Sequence, residues 1–402
     1  MSSTLILSLT IAAVVLLVVV LIVVTVANSI SRTPGRVLTA VLPGNLAKVV
    51  GKRRQAQQAA TDAKAAATDA KAAGASAGKQ AGTVASIVAS LAVVGGLVAF
   101  AKNFNDGDID PVISDVAAGE LHGTMVNTRN SDPIVLIVPG SGPTDRDGNN
   151  PLGVKSDAYK LLAEGLIEER IATVRIDKRG MFGSAGAGDP NITSPQAYVD
   201  DIHAWIDAIK AERKSDECVF LLGHSEGALM ASLAAKDRKD VCGVILVAGM
   251  GRKMGDVIRE QLVSNPANAP VLDQAFNAIT ELEAGRHVDV TGMHPALLPL
   301  FQPKVQDYLI AMFAIDPVEA VAKSGKRTLI VQGDRDLQVT LADAHLLNAA
   351  PKTRLDVIAG MNHILKAAPE DRAGNLATYA DPSLPLADKL IRRIRKFVKD
   401  ND

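Results

Sequence analysis

The stretch LLGHSEGALM (residues 221–230) places a serine between two glycines directly after an apolar run. Its centre fits the pattern G-x-S-x-G, in which the serine occupies a strained turn between a strand and a helix. The required context is present, because the apolar run ends at Leu222 and a helix-like segment, ALMASLAAKD (228–237), follows. The pattern therefore predicts that Ser225 is a nucleophile, the alternative being a small residue that fills a tight turn.

A serine hydroxyl attacks an ester only with a histidine to take its proton and a carboxylate to orient that histidine. The segment LIVQGDRDLQV (329–339) ends a strand and carries Asp334 and Asp336, and VIAGMNHIL (357–365) places His363 after the next strand. We predict that His363 is the base and Asp336 its partner, while Asp334 bonds the backbone of the turn.

Short apolar runs alternate with longer amphipathic stretches in the second part of the chain, as in a parallel sheet covered by helices. This predicts an α/β fold, a doubly wound and mostly parallel sheet, in one domain over residues 119–402. Residues 251–326 break the rhythm with apolar, proline-punctuated segments, which predict a helical cap over the site. The six predicted strands are PIVLIV (133–138), IATVRI (171–176), CVFLL (218–222), GVILVA (243–248), TLIVQ (328–332) and RLDVIA (354–359).

Taken together, these segments resemble the α/β-hydrolase superfamily over roughly residues 120–400. The heptapeptide GDRDLQV is similar to that family's G-x-x-D-x-x-V pattern, which carries the acid on its aspartate and so favours Asp336. The segment DKRGMFGSAG (177–186) looks like the family's D-x-R-G-x-G-x-S loop. The resemblance implies hydrolysis through a Ser-His-Asp triad.

The resemblance also implies an oxyanion hole built from two backbone N–H groups. One belongs to the residue after the nucleophile, Glu226. The other belongs to the loop PGSGPTDRDGNN (139–150), where we expect the N–H of Ser141, with Gly142 as the alternative. This loop looks most like a group of bacterial serine esterases whose oxyanion loop reads Gly-Ser-Gly-Pro-x-Asp-Arg-Asp-Gly, although Pro-Gly replaces the superfamily's usual His-Gly start.

The charged residues of these two loops are interpreted as structural. Alternating acids in DRDGNN (145–150) are reminiscent of calcium ligation, but the closing glutamate of an EF-hand loop is missing. No metal site is predicted. We expect networks that fix loop geometry at Asp145, Arg146, Asp147, Asp177 and Arg179.

The composition gives no support to a nucleic-acid partner, because the net charge is −1 and only 3% of the 402 residues are aromatic. No cofactor is predicted, and the chain gives no indication of its oligomeric state. Cys218 and Cys242 are too few for a disulfide scaffold. Adjacent strands would bring them close, but a disulfide demands specific geometry, so we predict free thiols.

The first hundred residues predict a membrane anchor. Residues 1–30 carry no charge and are almost continuously apolar from Leu5 to Ala27, which predicts a transmembrane helix. Residues 31–82 are Ala-rich and hold nine basic against two acidic side chains, which predicts a cytoplasmic loop. Residues 83–101 are again uncharged and are predicted as a second membrane span, followed by a linker over 102–118.

If the second segment spans, the catalytic domain lies on the periplasmic or extracellular side of a bacterial inner membrane. If that segment packs on the surface instead, the domain is cytoplasmic. The predicted function is a membrane-anchored carboxylesterase for small or moderately apolar esters. Two alternatives stay open: a serine peptidase or thioesterase of the same fold, and a catalytically silent hydrolase-fold binding module.

Overall fold

The computed structural model describes residues 111–400. The predicted membrane segments and basic loop lie outside the described residues. Within the described part of the chain, no helix combines the length and the apolar character needed to cross a membrane. The strands are β1 (Val112–Ala118), β2 (Leu121–Asn127), β3 (Ile134–Val138), β4 (Ala172–Ile176), β5 (Val219–His224), β6 (Val241–Val247), β7 (Thr328–Gly333) and β8 (Thr353–Ile358).

The eight strands form one sheet in the order β1-β2-β4-β3-β5-β6-β7-β8. The β1–β2 and β2–β4 pairs are antiparallel, and the remaining neighbours are parallel. The predicted α/β sheet is therefore confirmed as mostly parallel. All six predicted strands are present, with ends shifted by only one or two residues.

Helices cover both faces of this sheet. The α-helices are α1 (Ala158–Glu168), α2 (Pro195–Arg213), α3 (Glu226–Ala234), α4 (Met254–Val263), α5 (Leu272–Glu283), α6 (Leu298–Phe301), α7 (Pro303–Ala314), α8 (Pro317–Ser324), α9 (Leu341–Leu347), α10 (Arg372–Ala377) and α11 (Leu390–Lys399). Helices α1 and α11 pack into one apolar layer, and α2, α3, α8 and α9 into the other.

The central strand β3 is apolar throughout because both of its faces are buried. In β3, Leu136 and Val138 belong to the layer of α2 and α3, whereas Val135 and Ile137 belong to the layer of α1 and α11. Successive side chains of a strand point to opposite faces, so a strand covered on both sides has no polar positions to alternate with. This explains why the central strands were readable as continuous apolar runs.

The predicted linker over residues 102–118 is wrong at its end, because Val112–Ala118 forms the edge strand β1. All of its residues are exposed or only partly buried, and Ser114 and Asp115 break its apolar residues into two short pieces. Strand β2 was likewise not predicted, since His122, Gly123 and Thr124 interrupt its apolar residues. The predicted α/β domain thus includes residues from Val112 onward rather than from residue 119.

The insertion between β6 and β7 contains α4 to α8. Helix α8 packs against α3, so this helix belongs to the layer over the sheet. Several apolar side chains of the predicted cap, among them Phe301, Met312 and Phe313, are buried within the main hydrophobic core. These apolar side chains therefore pack into the core and hold the insertion against the rest of the domain.

The two cysteines form a disulfide, so the prediction of free thiols is wrong. Cys218 directly precedes β5 and Cys242 is the second residue of β6, and their Cα atoms lie 5.2 Å apart. The pairing of β5 with β6 steps from Val219–Val241 to Phe220–Gly243, which leaves Cys242 as an extra residue opposite the start of β5. The sequence predicts neighbouring strands but does not reveal this local shift in register.

Candidate active site

Ser225 lies at the turn between β5 and α3, as the G-x-S-x-G pattern predicts. Its backbone has φ 55° and ψ −122°, a conformation that residues with side chains rarely adopt. The Ser225 N–H donates to the Val247 carbonyl at 2.9 Å, which ties the turn to the neighbouring strand β6. The side chain is partly exposed, so the hydroxyl is presented at the carboxyl edge of the sheet.

The two glycines of the pattern allow the close approach that this turn requires. A Cβ on Gly223 would come 2.1 Å from the Gly227 carbonyl oxygen, and a Cβ on Gly227 would come 2.4 Å from the Val138 carbonyl oxygen. A side chain at Gly223 would push the start of α3 away from β5, and one at Gly227 would push it away from the end of β3. The glycines thus hold the nucleophile turn against the loop that follows β3.

Asp336 and His363 are brought together by the loops after β7 and β8. The His363 Nδ1 lies 2.8 Å from Asp336 Oδ2, and both side chains are buried. Because a carboxylate accepts, Nδ1 carries the proton, which leaves Nε2 as the basic nitrogen of the ring. The other Asp336 oxygen accepts the N–H groups of Gln338 and Val339 at 2.8 and 2.9 Å.

These contacts decide the protonation of Asp336. Burial by itself would raise the pKa of this carboxyl, but the charge of His363 and the hydrogen bonds from His363, Val339 and Gln338 hold the pKa below its usual value. Asp336 is therefore ionised at neutral pH and able to orient an imidazole. The alternative acid, Asp334, instead accepts the Gly360 N–H at 2.6 Å, the turn-bonding role expected for it.

His224, the residue before Ser225, joins the three loops of the site. Its Nε2–H donates to the His363 carbonyl at 2.8 Å, and its Nδ1 accepts the Tyr159 hydroxyl at 2.8 Å. The Tyr159 oxygen in turn accepts the Gly140 N–H at 3.2 Å. The rings of His224 and His363 lie 4.8 Å apart, centroid to centroid, so His363 lies beside the nucleophile turn.

Burial and the neighbouring His363 lower the pKa of His224 to about 3, so its imidazole is neutral. Within residues 111–400 the Ser225 hydroxyl has no hydrogen-bond partner, so it makes no direct bond to His363. Catalytic hydrogen bonds are often long before substrate binds. Sequence reasoning missed His224 and Tyr159, because no motif links residues so far apart in the chain.

The loop after β3 approaches Ser225 closely. A Cβ on Gly140 would lie 3.2 Å from the Ser225 Cβ, so the next residue, Ser141, has its backbone beside the turn. Among the residues that the structure describes, neither the Ser141 N–H nor the Glu226 N–H has an acceptor. Two unoccupied donors at this place suit an incoming negative oxygen.

Charged residues of the loops after β3 and β4 hold these loops in place, as predicted. The Arg146 guanidinium binds Asp177 through Nε at 2.9 Å and Nη2 at 2.6 Å. Asp145 accepts the N–H groups of Asp147 and Asn149 at 2.9 and 2.8 Å. The remaining contacts pair Asp147 with Arg175 and Arg179 with Asp201.

A family model described as serine aminopeptidase, S33, matches residues 152–280, a segment that includes Ser225. No curated protein matches the chain in sequence. The fold, the turn at Ser225 and this family match are similar to those of the α/β-hydrolase superfamily.

Several solved structures are similar to this chain at low identity. The ferulic acid complex of Est1E from Butyrivibrio proteoclasticus is 17% identical, with coverage of 71% of this chain and 96% of that chain and a TM-score of 0.44. An esterase from Pyrococcus furiosus is 14% identical, with coverage of 74% and 94% and a TM-score of 0.44. The Paleococcus ferrophilus monoacylglycerol lipase is 18% identical, with coverage of 69% and 98% and a TM-score of 0.42. Similarity at this level says nothing about the substrate of this chain.

Proposed function

We propose that this α/β hydrolase is a serine carboxylesterase for small or moderately apolar esters. The observation that carries the proposal is the buried Asp336–His363 pair beside a serine held at positive φ. The two unoccupied N–H donors of Ser141 and Glu226 support it, because ester hydrolysis passes through a negatively charged tetrahedral intermediate.

The reaction follows from the roles of these groups. The Ser225 oxygen attacks the ester carbonyl carbon while His363 Nε2 takes the hydroxyl proton, and the Ser141 and Glu226 N–H groups bind the resulting oxyanion. The intermediate collapses, the alcohol leaves with the proton from His363, and an acyl-enzyme remains. A water molecule, deprotonated by His363, then releases the acid and restores the serine.

The proposal is tested with p-nitrophenyl esters of increasing acyl length and with a fluorophosphonate probe. We expect turnover of the short esters and probe labelling of the wild type. Ser225→Ala is expected to lose labelling and to lower kcat by about four to six orders of magnitude. A folded wild type that is not labelled would instead support the catalytically silent binding module.

A serine peptidase is the second candidate, favoured by the aminopeptidase description of the matching family model. The same catalytic groups cleave amides and thioesters, so the site geometry does not choose between these bonds. Comparing kcat/KM for p-nitrophenyl esters, aminoacyl p-nitroanilides and acyl thioesters separates them. Cleavage of the anilides alone would overturn the esterase proposal.

The proposal includes an anchor formed by residues 1–30 and 83–101, with the catalytic domain on the periplasmic or extracellular side. The Cys218–Cys242 disulfide supports this side, because disulfides persist in oxidising compartments and are rare in the cytosol. Protease added to intact spheroplasts is expected to degrade the catalytic domain. Protection of that domain until the membrane is disrupted would place it in the cytoplasm.

A further inference from the structure

Lys178 is a buried cation next to the proposed oxyanion loop. It follows β4, and its side chain is 8% exposed. Its Nζ donates to the Gly140 carbonyl at 3.0 Å and lies 3.7 Å from Glu226 Oε1. The ammonium also lies 5.3 Å from the centre of the Tyr198 ring. The Lys178 ammonium thus contacts Gly140, which precedes the proposed donor Ser141. It also lies near the side chain of Glu226, whose N–H is the other proposed donor.

Stability does not explain a lysine at this position. A cavity of about 20 Å³ beside it is lined mainly by apolar groups, among them Val138, Ile202 and Met230. Burial in these surroundings lowers the pKa of Lys178, against the opposing effect of Glu226. Moving two charges out of water is unfavourable, and a buried ion pair is often no more stabilising than apolar side chains of the same volume.

The contact to Gly140 has a consequence for Ser141, because the two residues share one peptide group. Every peptide bond in residues 111–400 is trans, so the Gly140 C=O and the Ser141 N–H point in opposite directions from the same plane. A cation at the carbonyl oxygen fixes that plane and draws electron density toward the oxygen. The Ser141 N–H is thereby aimed away from Lys178 and becomes a stronger donor.

The other side of Gly140 is fixed as well. Its N–H donates to the Tyr159 hydroxyl, which is itself bonded to His224 in the nucleophile turn. The backbone around Gly140 is therefore held from both sides, and it lies against the Ser225 Cβ. Such preorganised dipoles cost no rearrangement when charge develops in the transition state.

We propose that Lys178 is a positioning residue that orients and polarises the Gly140–Ser141 peptide, so that the Ser141 N–H receives the oxyanion. The inference rests on the proposed ester hydrolysis at Ser225. Lys178 does not touch the substrate; it acts through the peptide and keeps its place through Glu226.

The test is the variant Lys178→Met, which keeps an unbranched side chain and removes the charge. With p-nitrophenyl acetate we expect kcat to fall about tenfold to a hundredfold, less than for direct loss of an oxyanion donor, while KM changes by less than about twofold. Inhibition by butylboronic acid, whose tetrahedral adduct places an oxygen in the oxyanion hole, should weaken by a similar factor. Unchanged kcat, or a lower kcat with unchanged boronic acid affinity, overturns the proposal.

Arg213→Met is the matched control. Arg213 is also buried and donates to two backbone carbonyls, those of Arg129 and Asp132, both at 2.6 Å, but at the amino edge of the sheet. This variant is expected to lose stability while kcat and boronic acid affinity stay within about twofold of wild type. An equal loss of kcat in both variants would show a general effect of removing a buried cation and would overturn the proposal.

A second variant covers failure of Lys178→Met to fold. Glu226→Gln keeps the Glu226 N–H but removes the carboxylate that holds the Lys178 ammonium, so we expect kcat to fall about threefold to tenfold with KM unchanged. Unchanged kcat in this variant overturns the role of Lys178. Fluorophosphonate labelling of the wild type separates the two proposals, because an unlabelled wild type refutes hydrolysis itself, whereas a labelled wild type with fully active variants refutes only the lysine.

Discussion

The backbone of Ser225 stores strain that a glycine would relieve. Ser225→Gly removes the Cβ at φ 55°, so we expect it to be inactive yet about 1–2 kcal/mol more stable than Ser225→Ala in urea unfolding. Ser232→Gly is the control, because Ser232 lies inside α3, where glycine should destabilise by about 1 kcal/mol. Equal stability of the Ser225→Gly and Ser225→Ala variants would contradict a strained turn.

The protonation of His224 predicts an acid-sensitive fold. Its pKa is lowered to about 3, below the usual value for an unfolded chain of about 6.5. Between these two pH values the unfolded state binds a proton at this histidine and the folded state does not. This contribution to the free energy of unfolding is complete above about pH 6.5 and is lost as pH falls toward 3.

His224→Gln should flatten this dependence. The variant is expected to be about 1–3 kcal/mol less stable at pH 7, because the bond to Tyr159 or to the His363 carbonyl weakens. Between pH 6.5 and 4 it should lose less stability than the wild type. Parallel curves for the two proteins in urea unfolding would show that another group controls the acid response.

Substitution of Asp336 and Asp334 tests which of the two carboxylates orients His363. Asp336→Asn removes the charge that orients His363, and we expect kcat to fall about a thousandfold to ten-thousandfold with little change in KM. Asp334→Asn is the matched control on the same loop, since Asp334 bonds the Gly360 N–H, and its kcat should stay within about threefold. The opposite ranking of the two variants would assign the role to Asp334.

The roles of single residues can be predicted from the sequence where those residues belong to a known pattern. Ser225, Asp336 and His363 follow strand ends in the order typical of the superfamily, and the structure brings the last two into contact. Tyr159 and Lys178 occupy no such pattern. Their partners are backbone atoms and side chains of distant segments, and these contacts arise only from the packing of loops at one sheet edge.

The junction of β3 and α3 depends on the absence of a side chain. A Cβ at Gly227 would meet the Val138 and Pro139 carbonyl oxygens at 2.4 and 2.6 Å. Gly227→Ala should therefore cost about 1–3 kcal/mol of stability and displace the loop that carries Ser141, lowering kcat. Gly186→Ala is the control, because its Cβ would meet only the flexible end of Glu120. If Gly227→Ala has the stability and kcat of the wild type, the backbone at this junction can move apart without loss of free energy or activity.

Elements were predictable where burial leaves a signature in the sequence. Central strands such as β3 and β5 are buried on both faces, so their apolar runs are unbroken. Strand β1 is bonded only to β2 and is largely exposed, and Ser114 and Asp115 interrupt its apolar residues. An edge strand is defined by its neighbour more than by its own residues.

For the whole molecule, the Cys218–Cys242 disulfide should contribute to stability. It closes a loop with a sequence separation of 24, for which about 3 kcal/mol is expected. The double variant Cys218→Ser, Cys242→Ser should therefore unfold at a lower urea concentration than the oxidised protein. Alkylation should add mass to the wild type only after reduction, and alkylation of the untreated protein would show that the thiols are free.

That disulfide lies at the amino ends of β5 and β6, whereas Ser225, Asp336 and His363 follow strands at the carboxyl edge. Reducing agents should therefore lower the stability of the protein without inhibiting its catalytic activity. A freshly reduced sample at low temperature keeps its initial rate, but its working lifetime on warming shortens. The first sign of dithiothreitol in a storage buffer would be a faster loss of activity during storage.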